Sequence, residues 1–480
     1  MLKMSCRLLL FSFFCFSLVS CCSSSPTKGI TSNEIDKLVY NTMQVFNVPG
    51  IAVGIIKDGQ VIHAKGYGVR NITKTDEVNE QTLFSIASTG KSFTAAALAL
   101  LVDEGKITWQ DKVTDILKEF KLYDAWVTSE FTVRDLLVHN SGLGLGAGDL
   151  MFWPSSDNPQ FSRQDITHNL RYLKPTSSFR TQYAYDNLLY VVAGEVISKV
   201  SGLSYEDFIE ERIIKPLDMQ HCAANLIPLK EHQNVADPHV VTDGQLQVAT
   251  RDVKLGKLHV TSAAGGIQCS VQSILKWHNM HLNKGSLPNG EVFLSQQQQE
   301  KLFTPQTIIP VSEKEKAYYN THFKSYGLGW RMMDVNGYQV AKHSGGLLGM
   351  VSVNTLIPDI SLGIVVYTNQ QSSGAKDAIM NQIVDAFTTD EKINWLANLS
   401  KKEKKVTAKV KQKVASVELV KYTPSGNIER YLGNYQDPWF GQASITIANG
   451  KLVLTAKKSQ RLVGKLMPYN EDVFIVKWFD

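Results

Sequence analysis

Residues 84–94 read Phe84-Ser85-Ile86-Ala87-Ser88-Thr89-Gly90-Lys91-Ser92-Phe93-Thr94. Apolar residues recur at helical spacing from Phe93 to Val102, and Gly105 ends the pattern, so the sequence predicts a helix that begins near Ser88. Ser88 and Lys91 stand three positions apart and therefore lie on one face of the first turn. There an ammonium group assists deprotonation of the Ser hydroxyl, and the helix N-terminus stabilises a developing oxyanion. The pair is a candidate nucleophile with a helper.

The Ser-x-x-Lys spacing is weak evidence by itself. It occurs three more times, at Ser25/Lys28, Ser273/Lys276 and Ser373/Lys376. The first pair falls in a polar N-terminal segment, the second inside an amphipathic helical pattern, and the third where a Ser caps a predicted helix. Ser88 differs by its small neighbours and by the long apolar helix that follows it, although an N-cap is the competing interpretation there as well.

A second motif, Tyr185-Asp186-Asn187, supplies side chains for proton transfer and substrate binding. A phenol in this position takes the Ser proton and returns it to a leaving group, and the Asn amide holds a substrate carbonyl. Tyr318-Tyr319-Asn320 has the same pattern, so this motif is also weak by itself.

A third motif, His343-Ser344-Gly345-Gly346, precedes a strand-like run that begins at Val351. Adjacent glycines beside a strand edge let a substrate backbone approach closely. The alternative interpretation is an ordinary turn with His343 in solvent.

Taken in chain order, the three motifs resemble those of the serine β-lactamase and penicillin-binding-protein superfamily. The pattern is similar to the class C type, with DD-peptidase, esterase and D-aminopeptidase relatives. Further strings agree with it: residues 132–143, Ala263-Ala264-Gly265-Gly266, Tyr326-Gly327-Leu328-Gly329-Trp330 and Gly345-Gly346-Leu347-Leu348-Gly349. The resemblance covers about residues 35–387, and the tail resembles small β domains appended to some of these hydrolases.

The resemblance implies a covalent mechanism. Ser88 attacks a carbonyl and becomes acylated, and Lys91 and Tyr185 share the proton transfers in an order that is unsettled within the family. The N–H groups of Ser88 and Gly346 form the oxyanion hole, whose loss costs about two to three orders of magnitude in rate.

The same resemblance implies the substrate-binding side of the site. Asn187 positions a substrate amide, and the motif His343, Ser344, Gly345, Gly346 lines the neighbouring strand. The substrate is a small molecule or a peptide. No Cys/His cluster has zinc-site spacing, so no metal and no other cofactor is expected.

Two departures from the family pattern bear on the substrate. His343 stands where many relatives have Lys, which weakens the fixed positive charge that grips a substrate carboxylate at neutral pH. Asp186 stands where a small residue is common, and it is expected to add negative charge nearby. Both put efficient β-lactam hydrolysis in doubt and leave esters, amides and D-amino-acid peptides as substrates.

Strand and helix patterns occur at both ends of the first 395 residues, with a helical middle. This order predicts an α+β fold: an antiparallel sheet flanked by helices, with an inserted all-helical lobe, as in β-lactamases and transpeptidases, plus a small all-β C-terminal domain. Asp58-Gly59 and Asn449-Gly450, each between apolar runs, predict two-residue hairpins. The predicted domains are a lipoprotein signal peptide (1–20), a tether (21–30), a β-lactamase-like serine hydrolase domain (31–395), a basic linker (396–427) and a β domain (428–480) whose completeness stays open.

The first 25 residues have the pattern of an export signal. Lys3 and Arg7 precede an apolar stretch from Leu8 to Val19, which is too short to span a bilayer comfortably. Leu18-Val19-Ser20-Cys21 resembles a lipoprotein processing site, which predicts lipidation of Cys21 and a bacterial envelope protein anchored in the membrane and facing the periplasm. The alternatives are ordinary secretory cleavage and an uncleaved anchor.

The charge pattern argues against nucleic acid as a partner. The net charge is only +5, and much of the excess lies in the lysine-rich run 401–413, which contains no aromatic residue. A nucleic-acid surface usually places aromatics among its basic residues, so a solvated linker is favoured. Cys222 and Cys269 are available to pair after export, but nothing in the sequence brings them together.

Three functions remain compatible with these motifs. The first is a serine hydrolase acting through a Ser88 acyl-enzyme, and the second is an envelope DD-carboxypeptidase that binds penicillin. The third is a non-catalytic binding or sensor module on the same fold, which would be marked by the loss of a catalytic residue; none is lost here. The oligomeric state is left open.

Overall fold

The computed structural model describes residues 29–152, 161–224, 234–242, 244–249, 260–347, 349–418 and 427–479. Its α-helices are α1 (Ser32–Phe46), α2 (Lys91–Asp103), α3 (Val113–Ile116), α4 (Ala125–Glu130), α5 (Arg163–Asn169), α6 (Leu188–Ser201), α7 (Tyr205–Ile209), α8 (Val271–Leu282), α9 (Gln296–Phe303), α10 (Glu313–Tyr319), α11 (Ser373–Thr388) and α12 (Trp395–Glu418). Its strands are β1 (Gly50–Lys57), β2 (Gln60–Gly68), β3 (Phe84–Ser85), β4 (Cys222–Ala223), β5 (His239–Thr242), β6 (Gln245–Val248), β7 (Gln268–Cys269), β8 (Thr307–Ile308), β9 (Lys324–Tyr326), β10 (Arg331–Val335), β11 (Tyr338–Leu347), β12 (Met350–Ile357), β13 (Leu362–Thr368), β14 (Gly433–Asp437), β15 (Gly441–Ala448), β16 (Lys451–Ala456), β17 (Ser459–Asn470) and β18 (Val473–Trp478).

The main sheet joins the two ends of the segment 31–395 that is predicted to be the hydrolase domain. Its strand order is β2-β1-β13-β12-β11-β10-β9-β8, and every neighbouring pair is antiparallel. Ile51 of β1 pairs with Thr368 of β13. The helices α3 to α7 form a lobe inserted between the first and last strands of this sheet. The predicted α+β fold, with its sheet built from both ends and its helical lobe, is confirmed.

Both faces of the sheet are covered because the central strands are apolar on both sides. α1 and α11 cover one face, where Val53 and Val366 lie in one buried cluster with Ile379. α2, α8 and the helical lobe cover the other face, where Ala52 and Tyr367 belong to the larger core. The outcome is a three-layer domain with helix α2, which follows Ser88, in its interior.

Local turn chemistry sets the two predicted hairpins. Asp58 and Gly59 have φ of 51° and 74°, and Asn449 and Gly450 have φ of 52° and 70°. Positive φ at both central residues matches the twist of the flanking strands, which is why Asp-Gly and Asn-Gly are favoured there. Both hairpins are confirmed, and the second joins β15 to β16 in the five-stranded C-terminal sheet, ordered β14 to β18.

The lysine-rich run is helical in the structure. The predicted linker begins inside α12, whose first residue, Trp395, is buried and donates its indole N–H to Asp385 Oδ2 at 2.5 Å. Trp395 also stacks on Tyr319, with ring centroids 5.1 Å apart. α12 packs on α11, while its lysines from Lys401 to Lys413 stay exposed. Apolar anchoring at one end therefore lets a highly charged segment continue as a helix.

A disulfide that the sequence did not indicate joins two short strands. Cys222 of β4 bonds to Cys269 of β7, and β7 also pairs with β3. Phe84 lies opposite Cys269 in this three-stranded sheet, shortly before Ser88. Tertiary strand order brings the two cysteines together, which spacing alone does not reveal.

Candidate active site

The candidate nucleophile lies on a tight turn at the start of α2. Ala87–Gly90 forms a 3-10 turn, and Lys91 is the first residue of the α-helix. Ala87 has a φ of +48°, a left-handed conformation that costs a non-glycine residue about 1–3 kcal/mol and is often found at functional sites. The turn leaves Ser88 partly exposed while its neighbours Ala87 and Thr89 are buried.

Lys91 is the most deeply placed charged group of the site. Its Nζ lies 3.2 Å from Ser88 Oγ, 2.8 Å from Asn187 Oδ1 and 2.6 Å from the Ala264 carbonyl oxygen. Complete burial lowers its pKa to about 7, although Asp149 and Asp186 oppose the shift. At neutral pH a substantial fraction of this amine is therefore uncharged.

Tyr185 completes the group around Ser88. Its hydroxyl hydrogen-bonds Ser88, and its ring lies 5.2 Å from Lys91 Nζ. Burial raises the pKa of Tyr185 to about 12, so the phenol keeps its proton at neutral pH. The structure thus brings Ser88, Lys91, Tyr185 and Asn187 together.

His343 lies beside this group but is buried within the protein. Its Nε2 is 2.8 Å from the Tyr326 hydroxyl, and its Nδ1 is 2.8 Å from the Ser344 carbonyl oxygen. Burial holds its pKa well below the usual range, so His343 is neutral. It therefore anchors β11 against β9, whereas Ser344 lines the open cleft.

Gly345 lets β11 approach the 3-10 turn that contains Ser88. A Cβ atom at Gly345 would lie 2.4 Å from the Ile86 carbonyl oxygen and 2.9 Å from Ala87 Cβ. Ser352, opposite Gly345 on β12, donates a 2.6 Å hydrogen bond to the same carbonyl. At Gly346 the nearest atom to a Cβ would be Val351 Cγ1 at 3.7 Å, so only Gly345 is sterically required for this contact.

Asp186 corrects a sequence expectation. It was expected to add negative charge near the site, but burial raises its pKa to about 8 and leaves it protonated at neutral pH. One carboxyl oxygen accepts the Leu189 backbone N–H at the start of α6. The residue therefore acts mainly as a buried helix cap.

The string 132–143 contributes a buried histidine that supports Tyr185. His139 has a φ of +55°, and its Nδ1 accepts the backbone N–H of Asp186 at 3.2 Å. Its ring packs against that of Tyr185, with centroids 4.2 Å apart. His139 therefore holds Tyr185 and Asp186 of the second motif in place. Burial holds the pKa of His139 well below its usual range.

Two charged residues of the site were missed by the sequence analysis. Arg331 lies in β10 and donates a hydrogen bond to the Tyr183 hydroxyl at 3.0 Å. It lines a cleft of about 530 Å³ together with Tyr183, Tyr185 and Ser344. Its only sequence signal is its position directly after the string 326–330. Arg331 supplies the fixed positive charge that His343 does not.

Asp149 is the second missed residue. It begins a short 3-10 helix, Asp149–Phe152, and its Oδ2 accepts a hydrogen bond from Asn187 Nδ2 at 3.0 Å. This bond orients the Asn187 amide so that its oxygen faces Lys91. Burial raises the pKa of Asp149, while the Asn187 bond and Lys91 favour its charged form. Nothing in the local sequence marks it.

A family model described as Beta-lactamase matches residues 35–388. The chain belongs to the beta-lactamase family. A second model, described as a domain of unknown function (DUF3471), matches residues 419–480 of this beta-lactamase-family protein. The resemblance inferred from the three motifs is thereby confirmed.

The relatives of this beta-lactamase-family protein include two that are named as hydrolases. The unguisins hydrolase ungD' of Aspergillus campestris is 26% identical over 465 residues, covering 92% of this chain and 84% of the relative. Protein flp of Staphylococcus aureus is 25% identical over 347 residues, covering 71% of this chain and 64% of that relative. The octameric penicillin-binding protein homologue from Pyrococcus abyssi superposes with a TM-score of 0.65 at 22% identity, covering 92% of each chain, which shows a shared fold.

The predicted signal peptide and lipidated Cys21 lie outside the described residues. Among the helices that the structure describes, none is both long and apolar enough to cross a membrane.

Proposed function

We propose that this protein is an exported serine hydrolase that cleaves an amide or ester through an acyl-enzyme on Ser88. Membership of the beta-lactamase family supports serine hydrolase activity in general. The observation that carries the specific assignment is the contact set of Lys91, whose Nζ lies against Ser88 Oγ, Asn187 Oδ1 and the Ala264 carbonyl.

The hydrogen-bonding capacity of Lys91 fits a base. A neutral amine has two N–H donors and one lone pair. The two carbonyl oxygens, at 2.8 and 2.6 Å, take the donors, which leaves the lone pair for the Ser88 hydroxyl at 3.2 Å. A pKa near 7 keeps enough of the neutral form to accept the Ser88 proton as the oxygen attacks. We therefore assign Lys91 as the base of acylation.

Tyr185 fits the complementary role of proton donor. Its phenol stays protonated, because burial raises its pKa to about 12, and it hydrogen-bonds Ser88. It is placed to protonate the leaving group, which departs from the Ser88 side of the tetrahedral intermediate. The backbone N–H groups of Ser88 and Gly346 are proposed as oxyanion donors, with Gly345 allowing the two segments to meet.

The cleft indicates the kind of acyl donor. Arg331 lines it beside Tyr183 and Ser344, so a substrate with an anionic group is favoured. One relative is named for hydrolysis of unguisins and a structural neighbour is titled a penicillin-binding protein homologue, and an acyl-enzyme mechanism suits both names. We propose an ester or peptide-like amide, with β-lactams as poorer substrates.

Two covalent probes separate this function from its alternatives. A fluorophosphonate should label wild type and not Ser88→Ala, whereas Ser273→Ala and Ser373→Ala should label normally. Labelling by a fluorescent penicillin as well would favour a DD-carboxypeptidase, and labelling by neither probe would favour a binding module. Peptide mapping of an adduct to any residue other than Ser88 would refute the assignment.

Export and lipid anchoring at Cys21 are proposed on separate grounds. Leu18-Val19-Ser20-Cys21 has the pattern of a lipoprotein processing site. The Cys222–Cys269 disulfide supports an oxidising compartment, where such bonds persist.

A further inference from the structure

The turn between β14 and β15 carries contacts of the C-terminal sheet with the helical lobe. Between β14 and β15, Asp437 Oδ1 accepts the backbone N–H groups of Trp439 and Phe440, at 3.0 and 2.8 Å. This side-chain turn fixes the two aromatic residues in a defined conformation. Trp439 and Phe440 are partly buried against the main core of the hydrolase domain. We call residues 437–440 the docking turn.

The surface that receives the docking turn is built from α5 and from Phe161, which stands two residues before that helix. Asn169 Nδ2 donates a hydrogen bond to the Trp439 carbonyl oxygen at 2.7 Å. Phe440 stacks on Phe161, with centroids 6.4 Å apart and planes inclined by 30°. Lys458 of the C-terminal domain lies 3.5 Å from Asp165 Oδ2 and 4.7 Å from the Phe161 ring centroid. Polar, aromatic and ionic contacts therefore converge on one patch.

Asn169 of α5 also contacts the short helix that borders the candidate active site. Asn169 Nδ2 also lies 3.6 Å from Met151 Sδ, and Met151 is 2% exposed. Met151 belongs to the short 3-10 helix Asp149–Phe152. Asp149 at its start accepts the hydrogen bond from Asn187 Nδ2, and Asn187 Oδ1 in turn faces Lys91 Nζ. One continuous series of contacts joins Trp439 to Lys91.

We propose that the docking turn of the C-terminal domain is a positioning element for the active site, holding the Asp149 helix so that the Asp149 carboxylate orients the Asn187 amide beside Lys91. This inference rests on the proposed function and concerns the segment that matches a domain of unknown function. The geometry requires no contact between the docking turn and substrate.

The electrostatic consequence is specific to Lys91. Asp149 is the foremost charge that raises the pKa of Lys91 against the effect of burial. Among the described residues, the other titratable or charged groups facing Lys91 are Asp186, Arg331, His139, His343, Tyr185 and Tyr190. None of these six lies on the Asp149 helix. Displacing that helix should therefore lower the pKa of Lys91 and leave the remaining groups in place.

The test is a pH–rate profile of the full-length protein with p-nitrophenyl butyrate. The double variant Trp439→Ala/Phe440→Ala should lower kcat/KM by about tenfold or more and move the acidic limb of the profile to lower pH. Asn169→Ala, which removes the bond to the Trp439 carbonyl, should shift the limb in the same direction. Phe479→Ala, which truncates a 66% exposed aromatic of the same domain, is the matched control and should match wild type.

Coupling to Asp149 decides the interpretation. Asp149→Asn should reproduce the shift, and combining it with the docking-turn variant should add little, because both act through one contact series. Unchanged profiles in the docking-turn variant and in Asn169→Ala would overturn the inference, even if the melting temperature fell. Additive effects of Asp149→Asn and the docking-turn variant would also overturn it.

The variant Ser88→Ala separates this inference from the proposed function. If Ser88→Ala kept full turnover, the proposed function itself would fail. Loss of turnover in Ser88→Ala with unchanged docking-turn profiles would remove only this inference. If the double variant does not fold, the pH–rate profile of Asn169→Ala decides whether the inference holds.

Discussion

Asp186 Oδ1 accepts the backbone N–H of Leu189 at 2.9 Å, so this carboxyl group caps α6 from a fully buried position. The bond needs only an oxygen acceptor, which the amide of Asn also provides. Because burial raises the pKa of Asp186 to about 8, the folded protein keeps the proton at neutral pH.

Asp186→Asn should change how stability depends on pH. An unfolded Asp ionises near pH 4, so between about pH 4 and pH 8 only the unfolded wild type releases this proton. The contribution of Asp186 to stability is therefore full below pH 4 and is lost as pH rises, by up to about 1.4 kcal/mol per pH unit. In urea unfolding, the free energy of unfolding of Asp186→Asn should rise relative to that of wild type as pH increases from about 4 to 8. Parallel stability curves would mean that Asp186 is ionised in the folded protein.

Lys91→Arg should be as inactive as Lys91→Ala. Arg keeps a positive charge but cannot act as a base at any relevant pH. Both variants should lose about two to four orders of magnitude in kcat/KM, the usual range for a lost general base. In wild type, kcat/KM should fall below about pH 7, where Lys91 becomes protonated. Substantial ester hydrolysis by Lys91→Arg would show that Lys91 acts by charge alone.

Gly345→Ala should displace the nucleophile turn. The added methyl would lie 2.4 Å from the Ile86 carbonyl oxygen, which forces β11 or the turn to move. We expect a loss of at least about 100-fold in kcat/KM, since small misplacement of reacting groups has effects of this size. The melting temperature should also fall, whereas Gly346→Ala should leave it unchanged. Wild-type kinetics in Gly345→Ala would contradict the close packing described here.

The effect of Arg331→Met on KM should depend on the charge of the substrate. Removal of the cation should raise KM for anionic esters more than for neutral esters of the same leaving group. Kinetics with a matched pair, a succinyl and a butyryl ester, give the measurement. Equal KM changes for both esters would exclude charge recognition by Arg331.

His343→Lys, suggested by the family pattern, should destabilise the protein, because it would bury an ammonium group near Arg331 and Lys91.

Cys21→Ser should abolish lipid attachment. A palmitate analogue supplied during growth should label wild type and not the variant, and Cys22→Ser should label normally as the matched control. Equal labelling of wild type and Cys21→Ser would place the lipid elsewhere or exclude it.

The parts that the sequence predicted correctly depend on local spacing. Hairpin turns, the helix after Ser88 and the three ordered motifs are all readable within a few residues, and the structure brings Ser88, Lys91, Tyr185 and Asn187 together. Their catalytic roles stay predictions until the variants are measured.

The parts that were missed depend on tertiary packing. Asp149 and Arg331 are single charged residues that enter the site only because distant elements fold against it. The charge of Asp186 was predicted wrongly because ionisation depends on burial, which the sequence does not state. The Cys222–Cys269 pair likewise requires knowledge of which strands are neighbours.

The pairing of β1 with β13 has a consequence for biosynthesis. The β1–β2 hairpin leaves the ribosome with one edge unpaired, and β13 supplies its partner only near Thr368. At about 5–20 residues per second, the roughly 300 residues between them take about 15–60 s to synthesise. Throughout that time the main sheet cannot close, which would be compatible with the export proposed above. A translation product that stops before Leu362 is therefore expected to aggregate through its apolar hairpin edge and not to accumulate as a smaller enzyme.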